Sequence, residues 1–405
     1  MSSYPKSMQY FLNRISNFSR QKYKIMTMAQ TSFNPNDQIV FTLPEGLVDL
    51  TTLTLHGKLT TTATGGTTPS TYAPPIEAMI DSIYIDVGGV GIQTSFTNYN
   101  QLFNIFRDFQ MIDKKALRGI LQNDANPSAT GNSYTLTNSP FAVQSWLGLL
   151  GSVKQLDTTL IPPVKVYIRL SPVACLSIGG AANPTAYSYS WSSVYASVDV
   201  LDISDGMYYN AVASKLASSP IEVVFDNYAT VIGSSGAVTQ SHRFSTSTDC
   251  LESVIATMLS TSYTDNAHNT TTALSTYFTR KGDTVSTSQF LVNGVPYPSY
   301  PLDNTVGEPF VQTSQTLGIA NDVTTQTNAN MNTLTVFNST FWTHAINFGV
   351  PYAIDDRYVC GLSGRGNALQ ISFNTTGTSN GIPICWLKQR SILRIGSGKA
   401  VELVL

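Results

Sequence analysis

Apolar and polar residues alternate in short segments along most of the chain, and this period of two is the feature that most constrains the fold. Leu53, Leu55 and Leu59 are separated by Thr, His and Lys, and the segment 79–87 shows the same pattern. Such alternation is typical of β-strands with one face packed on a core. Stretches rich in Gly, Asn, Pro and Thr separate the segments, as turns and loops do. The sequence therefore predicts an all-β fold.

The order of strands and turns repeats about halfway along the chain. The glycine turns at Gly88 and Gly294 are about 206 residues apart, and the strand-like segments 164–168 and 369–373 are about 205 residues apart. The repeat is one of order and spacing, because the two halves do not align residue by residue. A repeat near half the chain length, with about eight strands in each half, predicts two similar β-sandwiches in tandem.

The length supports this division, because 405 residues exceed the usual domain size of about 100–200 residues. We place an N-terminal arm at 1–36, a first sandwich at 37–204, a small and polar linker at 205–220 and a second sandwich at 221–405.

Short helices are expected beside the strands. Phe96 to Phe109 has aromatic and aliphatic residues at steps of three and four, with Thr97 or Asn98 as the N-cap. Segment 113–122 is amphipathic, and 305–319 has a weaker helical pattern. These helices would flank the sandwiches.

Charge is sparse and balanced, which excludes several classes of protein. Charged residues make up 12% of the chain and the net charge is -2. With 42% hydrophobic residues and little repulsion between like charges, the chain does not have the composition of an intrinsically disordered protein. Near-neutrality argues against a general nucleic-acid binder, and no apolar run approaches the roughly 20 residues of a membrane span. A surface of hydroxyls and amides suits close packing between copies of the chain.

No motif for catalysis, metal binding or cofactor binding is complete. Cys175, Cys250, Cys360 and Cys385 include no CxxC pair, and the four histidines lack metal-ligand spacing. The segment 361–365 resembles a nucleophile elbow without its final glycine. We therefore expect no catalytic residues, no metal, no cofactor and no enzymatic activity, with Cys175 and Cys385 as buried free thiols.

The first 36 residues are basic and contain no acid before Asp37. Residues 8–19 have the spacing of a short amphipathic helix. The cations of this arm are Lys6, Arg14, Arg20, Lys22 and Lys24. Two interpretations remain open: an arm that reaches an anionic surface of lipid headgroups or nucleic acid, or a terminus that is flexible or clasps a domain.

The segment 75–89, a strand ending in a tight Gly88-Gly89 turn, leads into the aromatic-rich helical segment 99–105. Together with the basic arm and the tandem repeat, this segment resembles the double jelly-roll major capsid proteins of icosahedral viruses, many of which contain an internal membrane. The resemblance implies two tandem eight-stranded jelly rolls with short flanking helices, standing upright on the capsid, and an arm beneath them.

The resemblance also implies how the chain would work. Three copies would form a pseudo-hexagonal capsomer that tiles an icosahedral shell, so the partners would be further copies, neighbouring capsomers and minor or vertex capsid proteins. The arm would lie on the inner side, facing an internal lipid membrane where there is one, without specific nucleic-acid recognition. The chain would be located in the virion, assembled in the host cell.

Surface roles follow from the same resemblance. The loops 63–75, 261–272 and 321–332 would face outward. A second basic group near the C-terminus would form salt bridges between subunits, in preference to joining the inner surface. Its members are Lys388, Arg390, Arg394 and Lys399.

Two other functions compete with a capsid role. A viral spike, receptor-binding protein or carbohydrate-binding β-sandwich would explain the Thr-rich loops and low charge, but not the repeat or the basic arm. A glycosidase needs two carboxylates at a cleft, and Asp355-Asp356 is better interpreted as a turn. A sugar binder would expose aromatic platforms, whereas the four tryptophans, Trp146, Trp191, Trp342 and Trp386, lie in strand-like runs and are expected in the core or an interface.

Overall fold

The two halves of the chain fold as two β-sandwiches, which we name roll 1 and roll 2. The structure is a computed structural model. It describes residues 18–28, 30–64, 70–72, 74–109, 136–179, 186–203, 206–234, 240–260, 277–318, 333–349, 361–364, 368–377 and 381–404.

Roll 1 contains two antiparallel sheets and a small ribbon. The described strands are β1 Phe18–Met26, β2 Gln38–Thr42, β3 Leu47–Thr64, β4 Ser70–Tyr72, β5 Ile80–Val87, β6 Val90–Gln93, β7 Ser139–Val143, β8 Gln155–Asp157, β9 Val164–Leu170, β10 Ser177–Gly179 and β11 Ala186–Ile203. One sheet has the order β1-β11-β3-β7, with β8 also paired to β3, and the other has the order β2-β9-β5-β6. Strands β4 and β10 pair separately.

Roll 2 repeats this arrangement. Its described strands are β12 Ile221–Ile232, β13 Gln240–Thr246, β14 Leu251–Leu259, β15 Val285–Val292, β16 Val295–Asp303, β17 His344–Asn347, β18 Leu369–Gly377, β19 Ile382–Ile395 and β20 Val401–Val404. One sheet has the order β12-β19-β14-β17, with β20 also paired to β19, and the other has the order β13-β18-β15-β16.

The strand orders of the two rolls correspond one to one. Leaving out β4, β8, β10 and β20, both rolls place their first, eighth, third and sixth strands in one sheet. Their second, seventh, fourth and fifth strands form the other sheet. This interleaving of two sheets is a jelly roll. The predicted all-β fold of two tandem eight-stranded jelly rolls is confirmed.

The predicted glycine turns are equivalent in the two rolls. Gly88 and Gly89 connect β5 to β6, and Asn293 and Gly294 connect β15 to β16. All four residues have positive φ, the conformation that Gly and Asn adopt at least cost and that two-residue hairpins require.

The described helices are α1 Tyr99–Asp108, α2 Leu149–Ser152, α3 Gly206–Ser218, α4 Glu308–Thr316 and α5 Leu334–Thr340, with 3-10 turns at Ile76–Met79, Val173–Cys175 and Ser397–Lys399. Helix α1 begins at the predicted N-cap, Asn98, and α4 lies inside the predicted 305–319 segment. The predicted helix at 113–122 lies outside the described residues. None of the helices that the structure describes is long and apolar enough to cross a bilayer.

Two segments differ from the sequence-based interpretation. Phe18 and Ser19, the end of the predicted 8–19 helix, belong to strand β1, so part of the predicted arm is a strand of roll 1. The predicted linker at 205–220 contains helix α3, whose Tyr208 hydroxyl donates to Asp157 Oδ2 at 2.8 Å.

Aromatic residues fill the core of each roll. Trp191, Trp342 and Trp386 are fully buried, and Trp146 is 8% exposed, so the expectation that the tryptophans are not surface platforms is confirmed. In roll 1 the rings of Phe141 and Trp191 lie 4.5 Å apart. Phe141 crosses over Gly57, where an added Cβ would lie 2.5 Å from the ring. This close approach requires glycine.

Candidate assembly surfaces

The five-stranded sheet of each roll has an outer face that points away from its own sandwich, and roll 1 covers this face in roll 2. The rings of Phe96, from roll 1, and Tyr228, from β12, stack at 4.9 Å. Residue Thr230 on the same strand donates its backbone N–H to the Ser95 carbonyl at 3.1 Å and its hydroxyl to the Thr97 carbonyl at 2.6 Å. Tyr228 is only 4% exposed as a result.

Polar side chains of helix α1 make further contacts with roll 2. The Arg280 guanidinium lies 2.6 Å from Asp108 Oδ2, and the two side chains are 1% and 7% exposed. The Asn100 amide donates to the Tyr277 hydroxyl at 2.8 Å, and the Gln101 amide donates to the Tyr277 carbonyl at 2.6 Å. Three polar side chains of α1, those of Asn100, Gln101 and Asp108, are therefore buried against partners from roll 2.

A balanced ion cluster lies on the outer face of roll 2. Lys388 contacts Glu252 at 3.0 Å and Asp226 at 3.3 Å, and Arg390 contacts the same two carboxylates at 2.9 and 3.2 Å. The sequence analysis expected these cations to pair between subunits; the structure pairs Lys388 and Arg390 within the chain. The sequence brings acids of β12 and β14 beside β19, and this long-range pairing is not visible in the local pattern.

The other two members of the C-terminal basic group also pair within the chain. Arg394 contacts Glu222 at 2.9 Å and Glu402 at 3.8 Å, and Lys399 lies 3.6 Å from Glu45. These pairs are exposed, so we assign them little stabilisation. Salt bridges between subunits from this group stay a prediction, because the pairs described here lie within one chain.

Strand β1 places three of the predicted arm cations on the outer face of roll 1. Arg20, Lys22 and Lys24 alternate along the strand and are exposed, so they share one face. The Arg20 side chain contacts Asp199 at 2.5 Å and Asp49 at 3.3 Å. Among the described residues, no ion pair is found for Lys22 or Lys24, and the Lys24 ammonium lies 4.1 Å from the centre of the Tyr195 ring. Lys6 and Arg14 lie outside the described residues.

His56 lies in the middle of this face. Its ring stacks on Tyr195 at 4.9 Å, and Nε2 lies 2.9 Å from the Ser197 hydroxyl. Burial, and then the charges of Lys22 and Lys24, lower the pKa of His56. The outer face of roll 1 is thus a cationic sheet surface with aromatic groups, and no other part of the described chain covers it as roll 1 covers roll 2.

Large apolar side chains are exposed on roll 2, a feature that the sequence analysis missed. They lie on edge strand β16 and on the residues that follow it: Val295 52%, Tyr300 54%, Val306 70%, Val311 51% and Leu334 37% exposed. The available signal was the run of three prolines in β16, VPYPSYPLD, because proline is confined to sheet edges. Exposed apolar side chains of this size are candidates for an interaction site.

In the part of the chain that the structure describes, the His, Cys, Asp and Glu side chains do not come together as a metal site. There, no group of three or more His, Cys, Asp or Glu residues has metal-binding geometry. Cys175 and Cys385 are buried free thiols, as predicted, and burial raises the pKa of both. Cys360, Asp355-Asp356 and the loops 261–272 and 321–332 lie outside the described residues, as do residues 65–69 and 73 of the loop 63–75.

Comparison with known proteins identifies the fold of the chain. No protein-family model matches the chain, and no curated protein sequence matches it. Solved structures match over nearly the full length. The VP54 protein of PBCV-1, fitted into a reconstruction of the virophage Sputnik, has a TM-score of 0.65 at 13% identity, covering 98% of this chain and 99% of that one.

Two further structures show the same match. The Faustovirus major capsid protein has a TM-score of 0.60 at 8% identity, covering 97% of this chain and 93% of that one. A chain of the Sputnik virophage structure has a TM-score of 0.59 at 9% identity, covering 100% and 93%. The chain therefore has the double jelly-roll fold of viral major capsid proteins.

Proposed function

We propose that the chain is a structural major capsid protein whose homotrimers form pseudo-hexagonal capsomers that tile an icosahedral shell. The observation that carries this proposal is the repeat of one strand order in two rolls of the same chain. Three such chains around a threefold axis present six similar rolls, and a six-sided unit packs laterally without gaps.

The surface chemistry supports lateral packing. Only 12% of the residues are charged, so close contact between copies desolvates few ions. The similar solved structures include a major capsid protein of a virus and chains from virus reconstructions. The proposal places the chain in the virion, with itself, neighbouring capsomers and minor or vertex capsid proteins as partners and with no catalytic step.

The mass and outline of the purified protein test the proposal. We expect sedimentation equilibrium to give three times the chain mass of 43.9 kDa, and negative-stain images to show six-sided particles. A folded monomer at all concentrations up to those of assembly, together with sugar-array binding, would instead favour the carbohydrate-binding alternative.

We further propose that the part of the arm before β1 contacts an anionic inner surface such as a lipid leaflet. It contains Lys6 and Arg14, and each cation near an anionic leaflet contributes about 1 kcal/mol. Arg20 is already balanced by two carboxylates. The membrane role therefore rests on the residues that precede the strand.

Vesicle flotation tests the arm. Deleting residues 2–16 leaves β1 intact, so we expect folded trimers that no longer float with vesicles containing phosphatidylserine. The variant Lys6→Ala/Arg14→Ala should show an intermediate loss, and Lys399→Ala serves as the matched control. Unchanged flotation of the deletion variant would contradict this role.

A further inference from the structure

A groove of about 190 Å³ lies at one end of roll 1, between the sheet that contains β1, β3 and β11 and the helix α3. Its floor is apolar and closed, because Val200, Leu201 and Ile203 of β11 are each only 7–8% exposed. Its walls carry Tyr23 of β1 and Tyr209 of α3, which are 45% and 54% exposed. In the described part of the chain, two tyrosine rings at this groove are therefore open to solvent.

A polar contact holds helix α3 at the groove. The Tyr208 hydroxyl donates to Asp157 Oδ2 at 2.8 Å, and the Tyr208 ring lies edge-on to the Tyr209 ring, with 5.5 Å between their centres. Asp157 Oδ1 accepts from the backbone N–H and the hydroxyl of Thr159 at 3.0 and 2.6 Å. The Asp157 carboxylate thus supplies negative charge to the groove, while most of its roughly four acceptor positions are already occupied.

The groove is acidic. Glu45, Asp157 and Asp202 line it, and no lysine, arginine or histidine is among the described residues that do so. Lys399 lies 3.6 Å from Glu45, whereas Asp202 is exposed and no ion pair is found for it among the described residues. A cleft lined by one sign of charge concentrates ligands of the opposite sign. The groove therefore favours a cation over a neutral ligand such as a sugar.

The groove combines aromatic faces, an apolar floor and negative charge, which is the environment that binds a quaternary ammonium group. Such a group has no N–H to donate, so it needs charge and ring faces but no free acceptors. A primary ammonium has three N–H donors, and the Asp157 carboxylate has little acceptor capacity left for them. The polar groups of the groove thus favour a quaternary over a primary ammonium.

We propose that the groove between β11 and α3 binds a quaternary ammonium group, the chemistry of a choline headgroup, with Tyr23 and Tyr209 against its methyl groups and Asp202 near its charge. The cavity is smaller than the roughly 300–1,000 Å³ of pockets for drug-sized ligands, so it holds a headgroup and no more. Gln21, which also lines the groove, lies three residues after the start of β1. The site is therefore at the end of roll 1 where the arm begins. This inference goes beyond the capsid role and does not depend on trimer formation.

Titration of the unmodified, full-length protein with choline tests the site without relying on variants. Saturation-transfer NMR of the choline methyl protons measures binding, and we expect a dissociation constant on the order of 1 mM for so small a ligand. The neutral analogue 3,3-dimethyl-1-butanol has the same shape without the charge. It should bind about tenfold more weakly, because it loses the attraction of the cation to the rings and carboxylates.

Variants at exposed positions then locate the bound ligand. Tyr23→Leu and Tyr209→Leu should each weaken choline binding about two- to fivefold, because each removes one ring from the cation. Asp202→Asn should weaken it about twofold, the effect of one solvent-exposed charge. Tyr300→Leu removes a tyrosine of the same 54% exposure from roll 2 and is the matched control, with unchanged binding.

Two choline compounds identify the source of the ligand. Tighter binding of dihexanoylphosphatidylcholine, below its micelle concentration, than of glycerophosphocholine supports the site with a lipid source, and equal binding supports it with a soluble source. Equal binding of choline and its neutral analogue, tighter binding of Nα-acetyl-lysine methylamide, or unchanged binding in both tyrosine variants overturns the inference. Sedimentation of the unmodified chain decides the proposed trimer separately, so failure of one proposal leaves the other standing.

Discussion

Helices α1 and α4 occupy equivalent positions in the two rolls, yet their surroundings differ. Eight of the ten residues of α1 are buried, including Asn100, Gln101 and Asp108, each of which has a partner in roll 2. In α4 only Pro309, Thr313 and Ser314 are buried. The same element is thus enclosed where a second roll covers it and open where none does.

This difference shows what an isolated roll 1 would lose. Without roll 2, Gln101 and Asp108 of α1 would lose the partners that roll 2 supplies. In the described part of the chain, by contrast, Val306 and Val311 near α4 are 70% and 51% exposed. The predictions below test the comparison, starting with the strongest contact between the rolls.

The largest effect is expected from breaking the buried ion pair between α1 and roll 2. Arg280→Met leaves the 7% exposed Asp108 carboxylate with the longer 3.9 Å contact to Arg107, which costs about 3 kcal/mol, the lower end of the range for breaking a buried ion pair. Urea unfolding measures the loss. Arg280→Met/Asp108→Leu should recover much of it, because no unpaired charge remains, and exposed Lys281→Met should change little. A stability of Arg280→Met equal to wild type would show that the pair does not hold the rolls together.

A matched pair of truncations compares the helices directly. Leu102 in α1 is fully buried, whereas Val311, at the equivalent position of α4, is 51% exposed. Leu102→Ala should lower the free energy of unfolding by about 2–5 kcal/mol. Val311→Ala should change it by no more than about 0.5 kcal/mol. Both are measured by urea unfolding at a protein concentration where sedimentation gives a monomer, so that assembly does not contribute. Equal losses would contradict the assigned environments.

Acid should destabilise roll 2 through His344. This residue is fully buried, with Nδ1 2.9 Å from the Ser288 hydroxyl, and burial lowers its pKa to about 3 from 6.5. Because the unfolded chain binds a proton that the folded chain excludes, stability is full above pH 6.5 and falls as the pH decreases toward 3.

The expected loss from His344 is about 2 kcal/mol at pH 5 relative to pH 7. His344→Gln does not titrate and keeps an amide near Ser288, so its stability should fall by about 2 kcal/mol less over this interval. Chemical denaturation at both pH values measures the difference, in which the contributions of the other histidines cancel. An identical pH dependence in wild type and variant would refute the assignment.

The smallest effect concerns the two N-caps. Gly307 has φ 79° where Asn98 has φ 52°, and most side chains disfavour this conformation. Gly307→Ala should cost about 1 kcal/mol, and Gly307→Asn, which copies roll 1, should cost less. Thermal unfolding compares the two variants. A Gly307→Ala variant as stable as Gly307→Asn would show that the caps are not equivalent.

Local patterns predicted the elements whose identity depends on neighbouring residues. The alternation in β5, the Gly88-Gly89 and Asn293-Gly294 turns, and the start of α1 at Asn98 could all be found in sequence. The residue-by-residue correspondence of the two rolls could not be found in the sequence. The reason is that equivalent positions need similar backbone conformations, which different side chains can adopt. Asn98 and Gly307 satisfy the same left-handed position with different residues.

The elements that were missed depend on distant partners. Strand β1 is polar and mostly exposed, and its identity as a strand comes from pairing with β11, as in Lys24 opposite Ser197. Segment 206–218 resembled a linker because it is rich in Ala and Ser, yet Ala is the best helix former. The ion cluster of Lys388 with Asp226 and Glu252 likewise joins three strands far apart in sequence.

The central claim is that one chain supplies two equivalent rolls, so that three chains make a six-sided unit. A cryo-electron microscopy map of the purified assembly tests it most directly. We predict a threefold ring of six upright lobes. A ring with another number of lobes, or isolated two-lobed particles, would contradict the account.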